Sequence, residues 1–554
     1  MSSEVPLLNV QIDGVWMQFP KGTRVIEACA QAGKFIPRYC YHPKLSAPGN
    51  CRMCMVEMGM PKLGSDRKPV LGADGRPEIA WIPRPQISCA QDVAEGMGLK
   101  TDSPMVQECR KGVMEFLLIN HPLDCPICDQ AGECRLQEFS VEYGNATSRF
   151  LERKVKKPKN VELGPRVTLD AERCVLCSRC IRFMKEVAKD DVLGFVDRGS
   201  FSTIACHPDR TLDSNYSLNT VDICPVGALT STDFRFKMRV WFLKETKTID
   251  INDGLGCNIT IGSRENKIYR ITPRENNDVN GVWIADSHRL NFKYLTSEER
   301  LIEPTVAGKA SSWDSAIQAG VSQLKALAGK VAVVASARQT NEELFLTRRI
   351  ASALNAPLMD VVPRKGEPDG ILIPEDRNPN TIGATLLQVA QPEPGKSLPK
   401  IAEGIRSGDI QGILCLGEDL TDLGLKEEHI RSLKSLVVTT LLPNPTSGAA
   451  SVLLPGAGWA EKRGSMINIH GRLQRLNKAV EPPGHCRDDW EILSALHAAL
   501  SDSAAFHSIE EVFRAMAEEV SEFKGLNLGK IGDLGLSVLP KPASPVPAPA
   551  TANA

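Results

Sequence analysis

At 554 residues the chain is too long for a single hydrophobic core and is expected to divide into several domains. Its 42% hydrophobic and 24% charged residues are ordinary for a globular protein, and a formal net charge of −1 leaves no electrostatic footprint for nucleic acid or an anionic membrane surface. No apolar run is long enough to span a bilayer, and the N-terminal MSSEVPLLNVQIDG lacks the basic-then-apolar layout of a secretory signal, so a cytoplasmic protein is expected.

Residues 7–20 (LLNVQIDGVWMQFP) read as two short strands around an Asp13-Gly14 turn. Thr23 then precedes a helical stretch, RVIEACAQAG, that Gly33 can close. With the cysteine loop that follows, this is the element order of a small β-grasp module. Residues 61–86, rich in Pro and Gly, read as an inserted hairpin loop, and SPMVQECRKGVMEFLLIN over 103–120 is helical up to His121. The basic run RKVKKPK at 153–159 is short and has no aromatic residue, so it is expected to be a solvated connector.

Beyond about residue 240 the texture changes. KTIDIND, CNITIG and KIYRITP alternate like short strands, and from about 313 to 535 helices alternate with apolar strands such as VAVVAS, GILCLG and SLVVTTLLP. The second pattern is that of an α/β domain with a parallel sheet. The last stretch, LPKPASPVPAPATANA, has no core-forming pattern and is expected to be disordered. The fold class is therefore multidomain, α+β followed by α/β.

Of 17 cysteines only Cys415 and Cys486 lie beyond residue 257, and many of the others stand in C-x-x-C pairs, too close for a disulfide framework. They point to metal. Cys40, Cys51 and Cys54, followed by Cys89, suit a [2Fe–2S] cluster, which needs four thiolates and a loop that turns backbone N–H groups towards sulfur. Their first gap is longer than in plant-type ferredoxins, and structural zinc is the alternative. His121, Cys125, Cys128 and Cys134, in HPLDCPICDQAGEC, are ambiguous on their own, because three cysteines and a histidine also make a common zinc shell. The neighbouring sets favour a cluster. Cys174, Cys177 and Cys180 in RCVLCSRC, with Cys224 in DICPVGAL, are the most specific: three thiolates on one tight loop plus a distant Cys-Pro hold a [4Fe–4S] cubane. Cys206, in ACHPDR, is a spare thiol expected to be simple packing. None of the three sets leaves an evident open ligand position, so together they read as a wire and not as separate catalysts.

The runs IPRYCYHPKLSAPGNCRMCMVEM, HPLDCPICDQAGECRLQ, RCVLCSRCIRFMKEV and DICPVGAL, in this order, resemble the large iron–sulfur subunit of bacterial NADH:quinone oxidoreductase, the 75 kDa-type subunit of the respiratory complex I peripheral arm. The resemblance implies one 2Fe-2S cluster on Cys40, Cys51, Cys54 and Cys89. It implies two 4Fe-4S clusters, on His121, Cys125, Cys128 and Cys134 and on Cys174, Cys177, Cys180 and Cys224. It also implies electrons arriving from a flavin-bearing NADH-oxidising subunit and leaving towards quinone, in a complex at the cytoplasmic face of the cell membrane. The chain would be a subunit of an enzyme with no complete active site of its own. Domains are then expected at 1–102 (2Fe-2S ferredoxin-like β-grasp), 103–150 (His/Cys 4Fe-4S), 151–240 (4Fe-4S ferredoxin-like), 241–300 (small, β-rich), 301–535 (molybdopterin-oxidoreductase-like) and 536–554 (Pro/Ala tail).

Two departures bear on function. Some bacterial members of this family carry a further [4Fe–4S] cluster after residue 250, but here that region has only Cys257, and the position of the last ligand is Ala285. No metal is expected between 250 and 300. The C-terminal half is short, and its likeness to molybdopterin enzymes rests chiefly on GWAEKRGSMINIHGRLQRLNKAVEPPG, so no pterin is expected. With no G-x-G-x-x-G after a strand, NADH is expected to bind to a partner. The competing readings are an iron–sulfur subunit of an NAD-linked formate dehydrogenase or hydrogenase, which the scarcity of late cysteines opposes, and a zinc-stapled scaffold.

Overall fold

The computed structural model describes residues 5–540, which fall into two compact units separated in sequence between Phe242 and Leu243.

The first unit begins with the expected hairpin. Leu7–Ile12 and Val15–Pro20 pair antiparallel, and Asp13 (φ 47°) and Gly14 (φ 85°) both take the left-handed conformation that a two-residue turn of this hand requires. Met97–Lys100 runs parallel to the first strand and antiparallel to Met55–Pro61, with Ile79–Trp81 beyond. The helix Val25–Gln31 buries Val25, Ile26 and Cys29 against Val10, Ile12, Val56, Met58 and Leu99. Each such side chain contributes roughly 1.5–3 kcal/mol when withdrawn from water. The packing holds both ends of the irregular loop that carries Cys40, Cys51 and Cys54, because the loop leaves from this helix and returns into the strand Met55–Pro61.

The helix Pro104–Ile119 starts as its sequence demands, with Pro104 in the first turn and Ser103 Oγ accepting from the Val106 N–H at 3.3 Å. Its other end corrects the reading of 153–159 as a solvated connector. Lys154 Nζ donates to the carbonyls of Leu118 (2.9 Å) and Ile119 (2.7 Å), two of the unpaired acceptors at the helix terminus. Lys157 Nζ donates to Ser202 O at 2.7 Å, and Lys159 pairs with Asp124, Asp170 and Glu172. The run is basic because it straps carbonyls and carboxylates together. The short helix Arg135–Tyr143 packs Phe139 edge-on against Tyr39, with ring centroids 5.4 Å apart.

The second unit opens with the antiparallel sheet Lys244–Ile249, Asn258–Arg264 and Lys267–Pro273. A seven-stranded sheet follows, in which Val452–Pro455, Ser435–Thr440, Gly412–Leu416, Val331–Ala335 and Met359–Val361 are parallel neighbours. Alternate residues face opposite ways: Val331, Val333 and Ala335 pack with the helices Trp313–Ala326, Asn341–Ala353 and Asp489–Ser501, whereas Ala332, Val334 and Cys415 pack with the helix Leu398–Ser407. Burial on both faces explains why these strands are apolar throughout. Leu536–Ser537 pairs with Arg472–Leu476, so order extends past the expected tail boundary at 536; residues 541–554 lie outside the described range.

Asp13 ties the hairpin turn to the end of the neighbouring strand Met97–Lys100. Its carboxylate accepts from the Thr101 N–H and Oγ1, both at 2.7 Å, and pairs with Lys34 at 3.3 Å. Burial pushes the carboxyl up, but the Thr101 hydrogen bonds and the Lys34 ammonium outweigh it and hold the group below its ordinary range. A depressed carboxyl stabilises the fold above the unfolded-state pKa of about 4 and loses that contribution as pH falls through the folded value. Asp13→Ala is expected to destabilise this sheet by about 1–3 kcal/mol at pH 7, measured as faster amide exchange over residues 7–20 and 97–101, with the gap from wild type shrinking towards pH 3.

Candidate metal centres

Cys40, Cys51, Cys54 and Cys89 converge although 49 positions of chain separate the first from the last, as the loop 40–54 meets the turn after Gln86–Ile87. The thiols of Cys40 and Cys51, of Cys40 and Cys89, and of Cys54 and Cys89 lie within hydrogen-bonding reach of one another. Backbone N–H groups of Asn50 and Cys51 point at Cys40 sulfur, that of Met53 at Cys51, and those of Ser88 and Cys89 at Cys54. The loop achieves this with left-handed residues at Gly49 (φ 62°) and Arg52 (φ 60°), and a Cβ at Gly49 would meet Ile87 Cδ1 at 2.9 Å. These shared hydrogen bonds hold Cys40 and Cys54 below the ordinary thiol range and push Cys51 and Cys89 above it. Metal ions replacing the shared protons would take all four as thiolates.

Cys174, Cys177, Cys180 and Cys224 line one small, mostly apolar cavity together with Ile204, Val226, Ala228 and Leu229. The tight loop turns on two left-handed residues, Leu176 (φ 53°) and Ser178 (φ 61°), which lets the Leu176 N–H donate to Cys174 Sγ at 3.4 Å. The N–H groups of Val226, Ala228 and Leu229 point at Cys224 sulfur. Burial pushes the thiols up, Cys174 to about 12 and Cys177 to about 11. A buried anion needs nearby positive charge, and a metal cluster held by these thiolates would supply it. The donor set fits.

In the remaining set Cys125 is exposed at the start of a single helical turn, Cys125–Ile127, while Cys128 and Cys134 are buried. Burial, with the nearby Cys128 and Cys125 sulfurs, pushes the Cys134 thiol to about 11, and burial also raises Cys128. His121 is half-buried, and burial together with the Arg173 guanidinium lowers its imidazole to about 4. A neutral imidazole is the ligating form. Arg173 also acts on Cys128 and donates to Asp124 Oδ2 at 3.0 Å, which ties the His121 side of the set to its cysteines.

Direct contacts join the sets. Arg182, on the helix Arg179–Glu186, donates to the carbonyls of Cys40 and Ser46. Arg179 donates to Tyr41 O at 2.6 Å and to Ile223 O at 3.1 Å, and Asn50 Nδ2 reaches Leu176 O at 3.3 Å. On the other side the Arg135 N–H donates to Pro225 O at 3.2 Å, and a Cβ added to Gly227 would stand 2.2 Å from Cys128 Sγ. The Cys174/Cys224 set thus touches the protein around both others, although it comes last in sequence. Sequence reasoning missed Arg179 and Arg182; the signal available was the interleaving of three arginines with the cysteines of RCVLCSRCIR. Cys206 stands apart, with its Sγ on Leu163 O at 3.3 Å, and Cys415 and Cys486 are buried with carbonyl partners of their own, Glu418 and Leu301.

Family models match the chain in five stretches. They are a 2Fe-2S iron-sulfur cluster binding domain over 6–104, the NADH-ubiquinone oxidoreductase-G iron-sulfur binding region over 110–149, and the NADH-quinone oxidoreductase subunit 3 ferredoxin-like domain over 164–230. An NDSU1/NuoG-like 4Fe-4S domain follows over 243–293 and a molybdopterin oxidoreductase domain over 381–499. Among relatives, the G-type subunit of NADH-quinone oxidoreductase from Rickettsia felis is 32% identical over 94% of this chain and 92% of its own length. The NADH-ubiquinone oxidoreductase 75 kDa subunit of Reclinomonas americana is 29% identical over 95% and 93%. The mitochondrial NADH dehydrogenase [ubiquinone] iron-sulfur protein 1 of Solanum tuberosum is 44% identical over 56% of this chain and 40% of its own length. Each of the first three matched stretches contains one of the three ligand sets.

Gly227→Ala is expected to push Cys128 out of its set. Iron assay of the anaerobically purified variant should show a loss of about four irons per chain, with the [2Fe–2S] signal unchanged by electron paramagnetic resonance.

Proposed function

The chain belongs to the NuoG-type, or 75 kDa, family of NADH-quinone oxidoreductase subunits, and on that premise we propose that it carries electrons from a flavin-bearing NADH-oxidising subunit through one [2Fe–2S] and two [4Fe–4S] clusters towards quinone. The observation that carries this reading is the pair of contacts made by the Cys174/Cys224 set, through Arg179 and Arg182 to the Cys40 loop and through Pro225 and Gly227 to Cys128 and Cys134. Clusters accept and release single electrons with little change of shape. The protein's part is to fix their spacing, exclude water and aim N–H groups at sulfur, and the convergence of donors on Cys40, Cys54 and Cys224 supports that role. His121, a neutral ligand among thiolates, would raise the potential of its cluster.

The remaining parts of the proposal concern what surrounds the wire. The 301–535 region acts as a scaffold without a pterin: its two cysteines are packed in the core and hydrogen-bonded to carbonyls, and its sheet is covered on both faces. The 241–300 region, with one cysteine, holds no cubane. No helix among the described residues is long and apolar enough to cross a membrane, which suits a peripheral subunit held at the cytoplasmic face by its partners in the complex.

Anaerobically purified protein is expected to carry about ten irons per chain, and His121→Cys should keep them while lowering one cluster's potential, whereas His121→Ala should lose about four. Little iron with several zinc ions in its place overturns the wire; wild-type spectra and potentials in both variants exclude His121 as a ligand. Mass spectrometry of the denatured chain is expected to find no pterin, and a released pterin dinucleotide with molybdenum or tungsten overturns the scaffold reading.

A further inference from the structure

On cysteines alone no metal is expected between residues 250 and 300, but the fold assembles a different donor set there. Asp250 follows the strand Lys244–Ile249, Asp253 lies in the turn after it, and His288 belongs to the short helix Asp286–Arg289. One ligand atom of each lies within 4.8 Å of the other two. All three are buried: Asp250 and Asp253 are 1% exposed and His288 9%. His288 Nδ1 is 2.8 Å from Asp250 Oδ2 and 3.7 Å from Asp253 Oδ2. Those separations bracket the ~3.3 Å between donors that two bonds of about 2.0 Å make at a tetrahedral angle.

We propose that Asp250, Asp253 and His288 bind a single zinc-class divalent cation, using none of the iron–sulfur ligands. A His–Asp ion pair accounts for Asp250, whose Oδ2 faces His288 and whose Oδ1 accepts from the Asn252 N–H (3.3 Å) and Nδ2 (2.5 Å). It reaches Asp253 only at 3.7 Å, beyond hydrogen-bond distance. There Oδ1 accepts from the Leu255 N–H at 2.9 Å, but Oδ2 is buried without a hydrogen-bond donor among the described residues. A buried oxygen left so costs roughly 1–3 kcal/mol, and more when charged.

Two carboxylates and an imidazole are a borderline donor set. Calcium takes six to eight oxygens and magnesium demands an octahedron, whereas zinc accepts three protein donors and a water. The set also has supporting contacts of the kind that orient ligands. Asn252 holds Asp250, reaches His288 O at 3.4 Å and accepts from Asn291 Nδ2 at 2.5 Å. The cation would staple the turn after the first strand to the helix Asp286–Arg289.

The test uses the full-length, cluster-loaded chain, equilibrated anaerobically with micromolar zinc and then desalted. Wild type should retain about one zinc per chain in addition to its iron, and Asp253→Asn and His288→Gln should each weaken retention at least tenfold with iron content unchanged. No retained zinc in wild type, or equal retention in both variants, overturns the proposal. Should the variants fail to fold, the zinc K-edge absorption of wild type decides: oxygen and nitrogen donors near 2.0–2.1 Å support the site, and a sulfur shell near 2.3 Å, zinc held by cluster cysteines, overturns it.

Discussion

Arg182 lies one helical turn beyond Ser178, and its guanidinium ends on the carbonyls of Cys40 and Ser46. Burying a guanidinium is costly unless its donors are satisfied, so the loop carrying Cys40 and the helix that begins just before Cys180 are each positioned by the other. Arg179 makes the same kind of bond to Tyr41 and Ile223, the latter next to Cys224. Ligands on three separate segments are thereby locked into one frame, and the positive charge of both arginines sits where thiolates must accumulate. Electron transfer between centres asks for fixed spacing and little motion, and a frame of buried arginine–carbonyl bonds provides both.

The backbone does the remaining work around each set. Left-handed residues at Gly49, Arg52, Leu176 and Ser178 turn the chain sharply enough that successive N–H groups face sulfur instead of pairing in a helix or sheet. At Gly227 the absence of a side chain lets the Cys224 loop approach Cys128. Glycine is required there by the neighbouring sulfur, since its φ is ordinary, whereas at Gly49 both the turn and Ile87 require it.

The second unit solves a different problem. Its parallel sheet is buried on both faces, and the Cys415 and Cys486 thiols each donate to a backbone carbonyl. Its small antiparallel sheet nevertheless concentrates Asp250, Asp253 and His288 in its interior. Charge buried at that density needs an explanation in the fold's own terms, and a cation is the one that also satisfies the orphaned oxygen of Asp253.

Local pattern alone determined the hairpin at Asp13-Gly14, the capped helix after Ser103, the apolar parallel strands and the three cysteine sets, because turn chemistry, capping and ligand spacing act within a few residues of chain. The family was legible for the same reason: its motifs are short and contiguous. Only the tertiary structure decided that the set latest in sequence touches both others, that Lys154 closes a helix 35 residues before it, and that two aspartates meet a histidine 38 and 35 positions away. Such juxtapositions arise from how sheets and helices pack, and lysine, aspartate and histidine carry no spacing rule that would announce them. Cysteines separated by two residues point to a metal from the sequence. A carboxylate declares one only when the fold has buried it and left an oxygen without a donor.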